Sequence, residues 1–145
     1  DAQSVDPTLN VITSAVKVPE TLSHLHYWNV QLTRKATREE VLDAFKRSSR
    51  IAMIEYCQGL SANNTVKELM LALNRPYGDM YEVALWKDMV TVVDDELFYA
   101  YLVDNQAIVI PETIDAIRAL TGIEKDGLKS IQKTNTSLGI KQIFY

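Results

Sequence analysis

The sequence predicts an α+β domain in which helices cover one face of a sheet. Its helix-like and strand-like segments follow the order β-β-α-β-α-β-β-β-α-α, without the regular βαβ alternation of a doubly wound parallel sheet. Three β-prone runs in succession indicate an antiparallel meander. With 145 residues, 47% of them hydrophobic, the chain is long enough to bury the core of one such domain.

The N-terminal part of the chain predicts two neighbouring strands. The stretch NVITSAVKVPE, residues 10–20, predicts a first strand that ends at Pro19, and clean alternation over 21–32 predicts a longer one. Because they lie so close in sequence, we expect the two strands to pair antiparallel. The second strand holds both histidines of the chain, His24 and His26, in the stretch SHLHYWNVQL.

Two amphipathic helices and a buried strand are predicted next. Thr37 and Glu40 have the spacing of a capping box, so a helix is expected to begin there and to end around Ser48. The nearly continuous apolar run RIAMIEY predicts a short strand. Apolar residues at helical spacing over 64–74 predict the second helix.

The C-terminal half predicts the meander and two further helices. The runs MYEVALW, MVTVV and ELFYAYLV are separated by short polar pairs that suit tight connections. A helix over 111–120 follows, because proline is favoured in the first turn and Gly122 suits the end. A last helix is predicted to begin at Asp126 or Gly127.

Composition excludes several classes of partner. The net charge of −4 and scattered basic residues provide no electrostatic footprint for nucleic acid or an anionic membrane, and no apolar run approaches the ~20 residues that span a bilayer. A single cysteine cannot form an internal disulfide, so a cytoplasmic, reducing location is expected. The chain begins with neither methionine nor a signal peptide, which suggests a piece of a longer protein.

His24 and His26 are the main candidates for chemistry. Their i, i+2 spacing points both imidazoles to one strand face, which continues with apolar residues. They could be ordinary hydrogen-bonded histidines of a sheet–helix layer. Alternatively, one of them is a general base whose pKa burial tunes toward neutrality. A metal site would need more ligands than these two, and no local spacing supplies them.

Three other positions have both a structural and a functional interpretation. Cys57 ends a predicted strand without an evident activating neighbour, so an ordinary thiol is favoured over a nucleophile. Lys17 projects from its predicted strand either into water or toward an anionic ligand. Asp104, Asn105 and Gln106 follow a strand and precede a helix, where they can reach a ligand or satisfy the backbone groups of the loop.

Five blocks of the chain, in order and at matching spacing, resemble a known family. They are SAVKVPETLSHLH, RIAMIEY, GDMYEVALWKDMVTVVDDELFYAYLV, VIPETIDAIRAL and KSIQKTNTSLGI. Together they are similar to the C-terminal part of the catalytic domain of archaeal-type glyceraldehyde-3-phosphate dehydrogenases. The resemblance implies that residues 1–145 belong to a mixed, largely antiparallel sheet covered by helices, with a C-terminal helix, and that the Rossmann nucleotide-binding domain is absent from this chain.

The resemblance also implies a reaction. In such enzymes a cysteine thiolate attacks the aldehyde, a histidine acts as base, hydride passes to NADP or NAD, and inorganic phosphate releases an acyl phosphate. The nucleophilic cysteine would lie upstream of this chain, so Cys57 does not inherit that role. The implied partners are a phosphorylated aldehyde, inorganic phosphate, the remaining part of the same enzyme and further copies in a homotetramer.

The resemblance assigns site residues by position. Either His24 or His26 matches the histidine base. Lys17 matches a position that usually holds a phosphate-contacting arginine, and lysine retains the charge without the bidentate fork. Asn105 matches the loop residue that approaches the nicotinamide carboxamide, although this loop reads Asp-Asn-Gln-Ala where the archaeal pattern is His-Gln-Glu-Ser.

The leading hypothesis is therefore that the chain is part of a phosphorylating glyceraldehyde-3-phosphate dehydrogenase. This chain alone is expected to be inactive. Two other hypotheses remain open at this point. One is a non-catalytic α+β interaction or oligomerisation module that uses the aromatic residues of the meander. The other is a different dehydrogenase of the semialdehyde type that shares the same catalytic layer.

Overall fold

The computed structural model describes residues 2–18 and 23–144. Within these residues it contains five α-helices and five β-strands, joined by short turns and single turns of 3₁₀-helix. In chain order the elements are α1 (Ala2–Val5), β1 (Ser23–Gln31), α2 (Arg38–Lys46), β2 (Ile51–Ile54), α3 (Asn63–Ala72), β3 (Val83–Trp86), β4 (Thr91–Val93), β5 (Glu96–Asp104), α4 (Val109–Thr121) and α5 (Gly127–Leu138).

The five strands form one open sheet of mixed direction. Its order is β1-β5-β3-β2, and the short β4 also pairs with β5. Strand β5 is antiparallel to β1, β3 and β4, whereas β2 and β3 are parallel to one another. The predicted α+β class and the largely antiparallel sheet are confirmed.

Helix α2 begins where the capping chemistry predicts. The Thr37 side chain accepts a hydrogen bond from the Glu40 backbone N–H, and the Glu40 carboxylate accepts one from the Thr37 N–H at 2.8 Å. This box satisfies two of the backbone donors that the first turn of a helix leaves free. The helix then turns Val41 and Leu42 into the protein interior.

Apolar side chains pack on both faces of the sheet. Ala84 and its partner Leu102 belong to a cluster with α3, whereas Leu85 on the next position of β3 belongs to a cluster with α2. Successive residues of a strand point to opposite faces, so the continuous apolar run of β3 is buried from both sides. The expectation that helices cover only one face is therefore corrected.

Two predicted strand arrangements differ from the structure. Residues 10–18 form neither helix nor strand. Most of their side chains, such as that of Ile12, are exposed, so this stretch is not the strand that was predicted. The rest of that predicted strand lies outside the described residues. The meander is also wrong in detail, because a 3₁₀ turn at Lys87–Met89 separates β3 from β4 and the two strands each pair with β5 instead.

Residues 139–144 close one side of the sheet. The backbone N–H of Met53 in β2 donates to the Gln142 carbonyl at 3.2 Å, and the Gln142 side chain donates to the carbonyls of Lys46 and Ser48 at 2.7 Å. The Phe144 ring enters the cluster beneath α3 and is 4% exposed. The segment after α5 is thus fixed along the outer side of β2.

Candidate functional site

The pairing of β1 with β5 brings the candidate residues to one end of the sheet. Ser23 lies opposite Asp104, so the start of β1 adjoins the point where β5 runs into the loop that contains Asn105. His24 lies opposite Val103 and His26 opposite Tyr101. The strands thereby place both imidazoles on one face, close to the 104–107 loop, although they are far apart in sequence.

The face that contains the histidines is a row of rings. The His24 and His26 ring centroids are 6.0 Å apart, and His26 stacks on Tyr101 at 4.9 Å with an interplanar angle of 13°. Tyr101 in turn lies 6.1 Å from Tyr99, whose ring contacts Phe45 of α2. The row leads from the exposed imidazole of His24 into the apolar cluster under α2.

The two imidazoles have different surroundings. His24 is exposed, whereas His26 is partly buried. Burial lowers the pKa of His26 below its ordinary value of 6.5, and the neighbouring His24 lowers it further. A neutral imidazole at pH 7 can accept a proton, so the chemistry of this face suits a general base.

Replacing Tyr101 by leucine is expected to raise the pKa of His26. The stacked ring excludes water from the imidazole, and its loss admits water that stabilises the charged form. An NMR titration of the histidine ring protons measures this shift.

Tyr27→Leu is the matched control, because Tyr27 lies on the same strand with its side chain on the opposite face and 69% exposed. The control is expected to leave the titration of His26 unchanged. Equal titration curves for the two variants would contradict a role for Tyr101 in desolvating His26.

The loop after β5 is organised by a buried carboxylate. One oxygen of Asp104 accepts hydrogen bonds from the backbone N–H groups of Gln106 and Ala107, each at 3.0 Å, and the other oxygen accepts one from Lys67 at 2.6 Å. Burial alone raises the pKa of Asp104, but these hydrogen bonds outweigh it and hold the pKa below its usual value. Asp104 therefore satisfies loop backbone groups, while the Asn105 side chain is exposed beside it.

Lys67 is a residue that sequence reasoning missed. It lies on α3, its side chain is 17% exposed, and it also donates to the Gly78 carbonyl at 2.7 Å. Helical spacing predicted the helix itself, but an ion pair with a residue 37 positions along the chain depends on how the helix is placed against the sheet. In the sequence, the one hint that Lys67 has an acidic partner was Asp104, directly before Asn105.

Lys17 and Cys57 lie on two other segments of the chain, outside β1 and the 104–107 loop. Lys17 has an exposed side chain in segment 10–18, and residues 19–22, which lead from it to β1, lie outside the described part of the chain. The exposed thiol of Cys57 lies 3.9 Å from a carboxylate oxygen of Glu55. An acidic neighbour does not activate a thiol, so the geometry agrees with an ordinary cysteine.

Residues 2–18 and 23–144 form neither a metal-binding cluster nor a membrane-spanning helix. No group of three or more histidine, cysteine, aspartate or glutamate side chains is arranged to hold a metal ion in this part of the chain. In the same residues, no helix has the length and apolar character needed to cross a membrane.

The chain is similar to several archaeal enzymes. It is 40% identical over 140 residues to glyceraldehyde-3-phosphate dehydrogenase 2 of Methanosarcina barkeri, 39% identical to the glyceraldehyde-3-phosphate dehydrogenase of Methanosarcina mazei, and 38% identical to that of Methanopyrus kandleri. Each similarity covers 97% of this chain but only 40–41% of the relative. No family model matches the chain.

Fold and candidate site together define an α+β domain with an open mixed sheet and a pair of imidazoles at one sheet end. The relatives are dehydrogenases by name. Over nearly its whole length, the chain is homologous to the C-terminal portion of archaeal-type glyceraldehyde-3-phosphate dehydrogenases.

Proposed function

We propose that this chain supplies the C-terminal part of the catalytic domain of a phosphorylating glyceraldehyde-3-phosphate dehydrogenase. The observation that carries the proposal is the β1–β5 register, which sets the histidine pair beside the Asn105 loop. Homology to the archaeal enzymes over 97% of the chain supports it. The Rossmann domain and the cysteine nucleophile would be contributed by the remaining part of the enzyme, so this chain alone is expected to be inactive.

In the proposed reaction, one imidazole of the pair accepts the proton of the cysteine thiol. The neutral ring is the reactive form, and the imidazolium that results stabilises the thiolate by its charge. The low pKa of His26 keeps that ring neutral at pH 7, whereas the exposed ring of His24 is open to an approaching thiol. Both residues therefore remain candidates for the base.

Two other residues are proposed to bind small groups. Asn105 has an exposed amide at the end of the sheet, which suits the carboxamide of a nicotinamide ring with one donor and one acceptor. The nicotinamide, as NADP or NAD, supplies the hydride acceptor. Lys17 is proposed to contact substrate phosphate or inorganic phosphate as a point charge.

The assembly and location are also proposals. Leu25 is 53% exposed and Tyr27 69% exposed, on the face of β1 opposite the histidines. An exposed apolar face of this kind suits a contact between copies, in accord with a homotetramer. We place the enzyme in the cytoplasm, where phosphorylated aldehydes and nicotinamide cofactors are available to it.

The experiment is a dehydrogenase assay of the complete gene product that contains this chain. With glyceraldehyde 3-phosphate, inorganic phosphate and either NADP or NAD, we expect the absorbance of the reduced nicotinamide to appear. Omitting phosphate, or substituting unphosphorylated glyceraldehyde, is the matched control and should lower the rate strongly.

Two outcomes would contradict the proposal. A higher rate with an unphosphorylated semialdehyde than with glyceraldehyde 3-phosphate would indicate a different dehydrogenase, of the semialdehyde type, that shares this catalytic domain. A native product of only 16.4 kDa without activity would indicate an interaction module.

A further inference from the structure

A buried ion pair connects α3 to the end of β5. The Asp104 carboxylate is 1% exposed and the Lys67 side chain 17% exposed, with 2.6 Å between Lys67 Nζ and Asp104 Oδ2. Lys67 is the cation that the structure pairs with this carboxylate, and a buried carboxylate without a cation is strongly disfavoured. Lys67 thus determines whether Asp104 stays inside the protein.

Asp104 in turn determines the path of the loop. Its Oδ1 accepts from the N–H groups of Gln106 and Ala107, and its backbone carbonyl accepts from Ile108 N–H at 2.9 Å. Asn105 lies between these fixed points, so its backbone direction follows from the position of the Asp104 side chain. If the carboxylate turned outward to solvent, both side-chain hydrogen bonds to the loop would be lost.

Lys67 is itself held from a second direction. Its ammonium donates to the carbonyl of Gly78 at 2.7 Å, in a turn where Gly78 has a φ of +67° and a β-carbon would approach Leu71 to 3.0 Å. The turn therefore approaches α3 closely, and its carbonyl fixes the direction of the ammonium. The Lys67 ammonium thus donates to two acceptors that the fold holds in place, so its position is fixed, unlike that of a lysine on the open surface.

From these contacts we infer that Lys67 is a positioning residue that acts through Asp104 to hold the amide of Asn105 toward the nicotinamide. This inference rests on the proposed function and extends it to a residue that does not itself touch the cofactor. Lys67 donates to Asp104 and to the Gly78 carbonyl, so its effect is directed at the loop that contains Asn105. A misplacement of about 1 Å at a reacting group costs on the order of 10²-fold in rate.

The test compares Lys67→Met with Lys67→Arg in the complete gene product. Lys67→Met is expected to raise the KM for the nicotinamide cofactor and to lower kcat, together by about 10- to 100-fold in kcat/KM, with the KM for the aldehyde little changed. Lys67→Arg keeps the charge and is expected to restore most of the loss. Asp104→Ala, which removes the acceptor of both loop amides, should reproduce the Lys67→Met pattern and serves in its place if Lys67→Met does not fold.

Hydrogen exchange provides a readout that is independent of activity. In Lys67→Met the backbone amides of Gln106 and Ala107 are expected to exchange faster, because the carboxylate that protects them is released. The matched control is Lys133→Met, which removes an exposed lysine of α5 that pairs with Glu124, and it should change neither exchange at the loop nor the kinetics.

The outcomes separate the two proposals. Unchanged kinetics and unchanged exchange at 106–107, even with a lower melting temperature, would overturn the positioning role and leave Lys67 a purely structural residue. A wild-type protein without dehydrogenase activity would overturn the proposed function and with it the role toward the nicotinamide. In that case, the exchange of the two amides still decides whether Lys67 orders the loop.

Discussion

Changing His24 and His26 separately to asparagine is expected to show one variant with acylation slowed by about 10²–10⁴-fold, the usual contribution of a general base. Asparagine keeps a polar side chain of similar size but cannot accept a thiol proton near neutral pH. The other histidine should have a smaller effect, because it acts on its neighbour through charge and through a tilted ring contact at 6.0 Å. A rapid-mixing measurement of the first turnover of the complete enzyme isolates the acylation step.

The control for the histidine variants is Tyr27→Phe, on the same strand with its side chain on the opposite face. It tests whether any change in β1 is enough to slow the reaction, and it is expected to acylate at the normal rate. If both histidine variants also acylate normally, neither imidazole is the base. Equal losses in all three variants would indicate damage to the strand rather than loss of a proton acceptor.

Glu82→Ala is expected to lower the free energy of unfolding by about 3–5 kcal/mol, the range found when one member of a buried ion pair is removed. Glu82 is fully buried, and both of its oxygens accept from Arg75, at 2.6 and 2.7 Å. One oxygen also accepts from the Lys141 backbone N–H at 2.8 Å. The substitution leaves Arg75 as a nearly buried cation between the rings of Tyr81 and Phe144, without its carboxylate.

Asp43→Ala is the matched control for Glu82→Ala. It also removes one carboxylate from an ion pair, but the Asp43 side chain is 64% exposed and its partner Lys46 is 60% exposed. Exposed pairs contribute about 0–1 kcal/mol, so denaturant midpoints should separate the two variants clearly. Similar midpoints would show that the buried Arg75–Glu82 pair contributes no more to stability than the exposed pair does.

The elements with local signals were the ones that could be predicted from the sequence. Thr37 and Glu40 specify the start of α2 within four residues, and Gly122 ends α4 in a left-handed conformation with a φ of +71°. The alternation in β1 correctly places both histidines on one face. Such features depend on neighbours along the chain, which a single sequence displays directly.

Features that depend on distant parts of the chain could not be predicted in the same way. Residues 10–18 were predicted to form a strand that pairs with β1, yet the strand beside β1 is β5, some seventy positions later. The contact between Lys67 and Asp104 likewise requires α3 to lie against the end of β5. Neither residue has a spacing or motif that identifies its partner, because the partner is selected by three-dimensional packing.

The segment that covers β2 has a consequence for how copies of the sheet can join. Among the strands of the described residues, β1 and β2 terminate the sheet, and hydrogen bonding from Gln142 already occupies the side of β2. Within the described residues, a foreign strand would therefore add more readily at the β1 end of the sheet than at β2. Two copies that paired along β1 would each use that edge, so a contact of this kind would close at a pair.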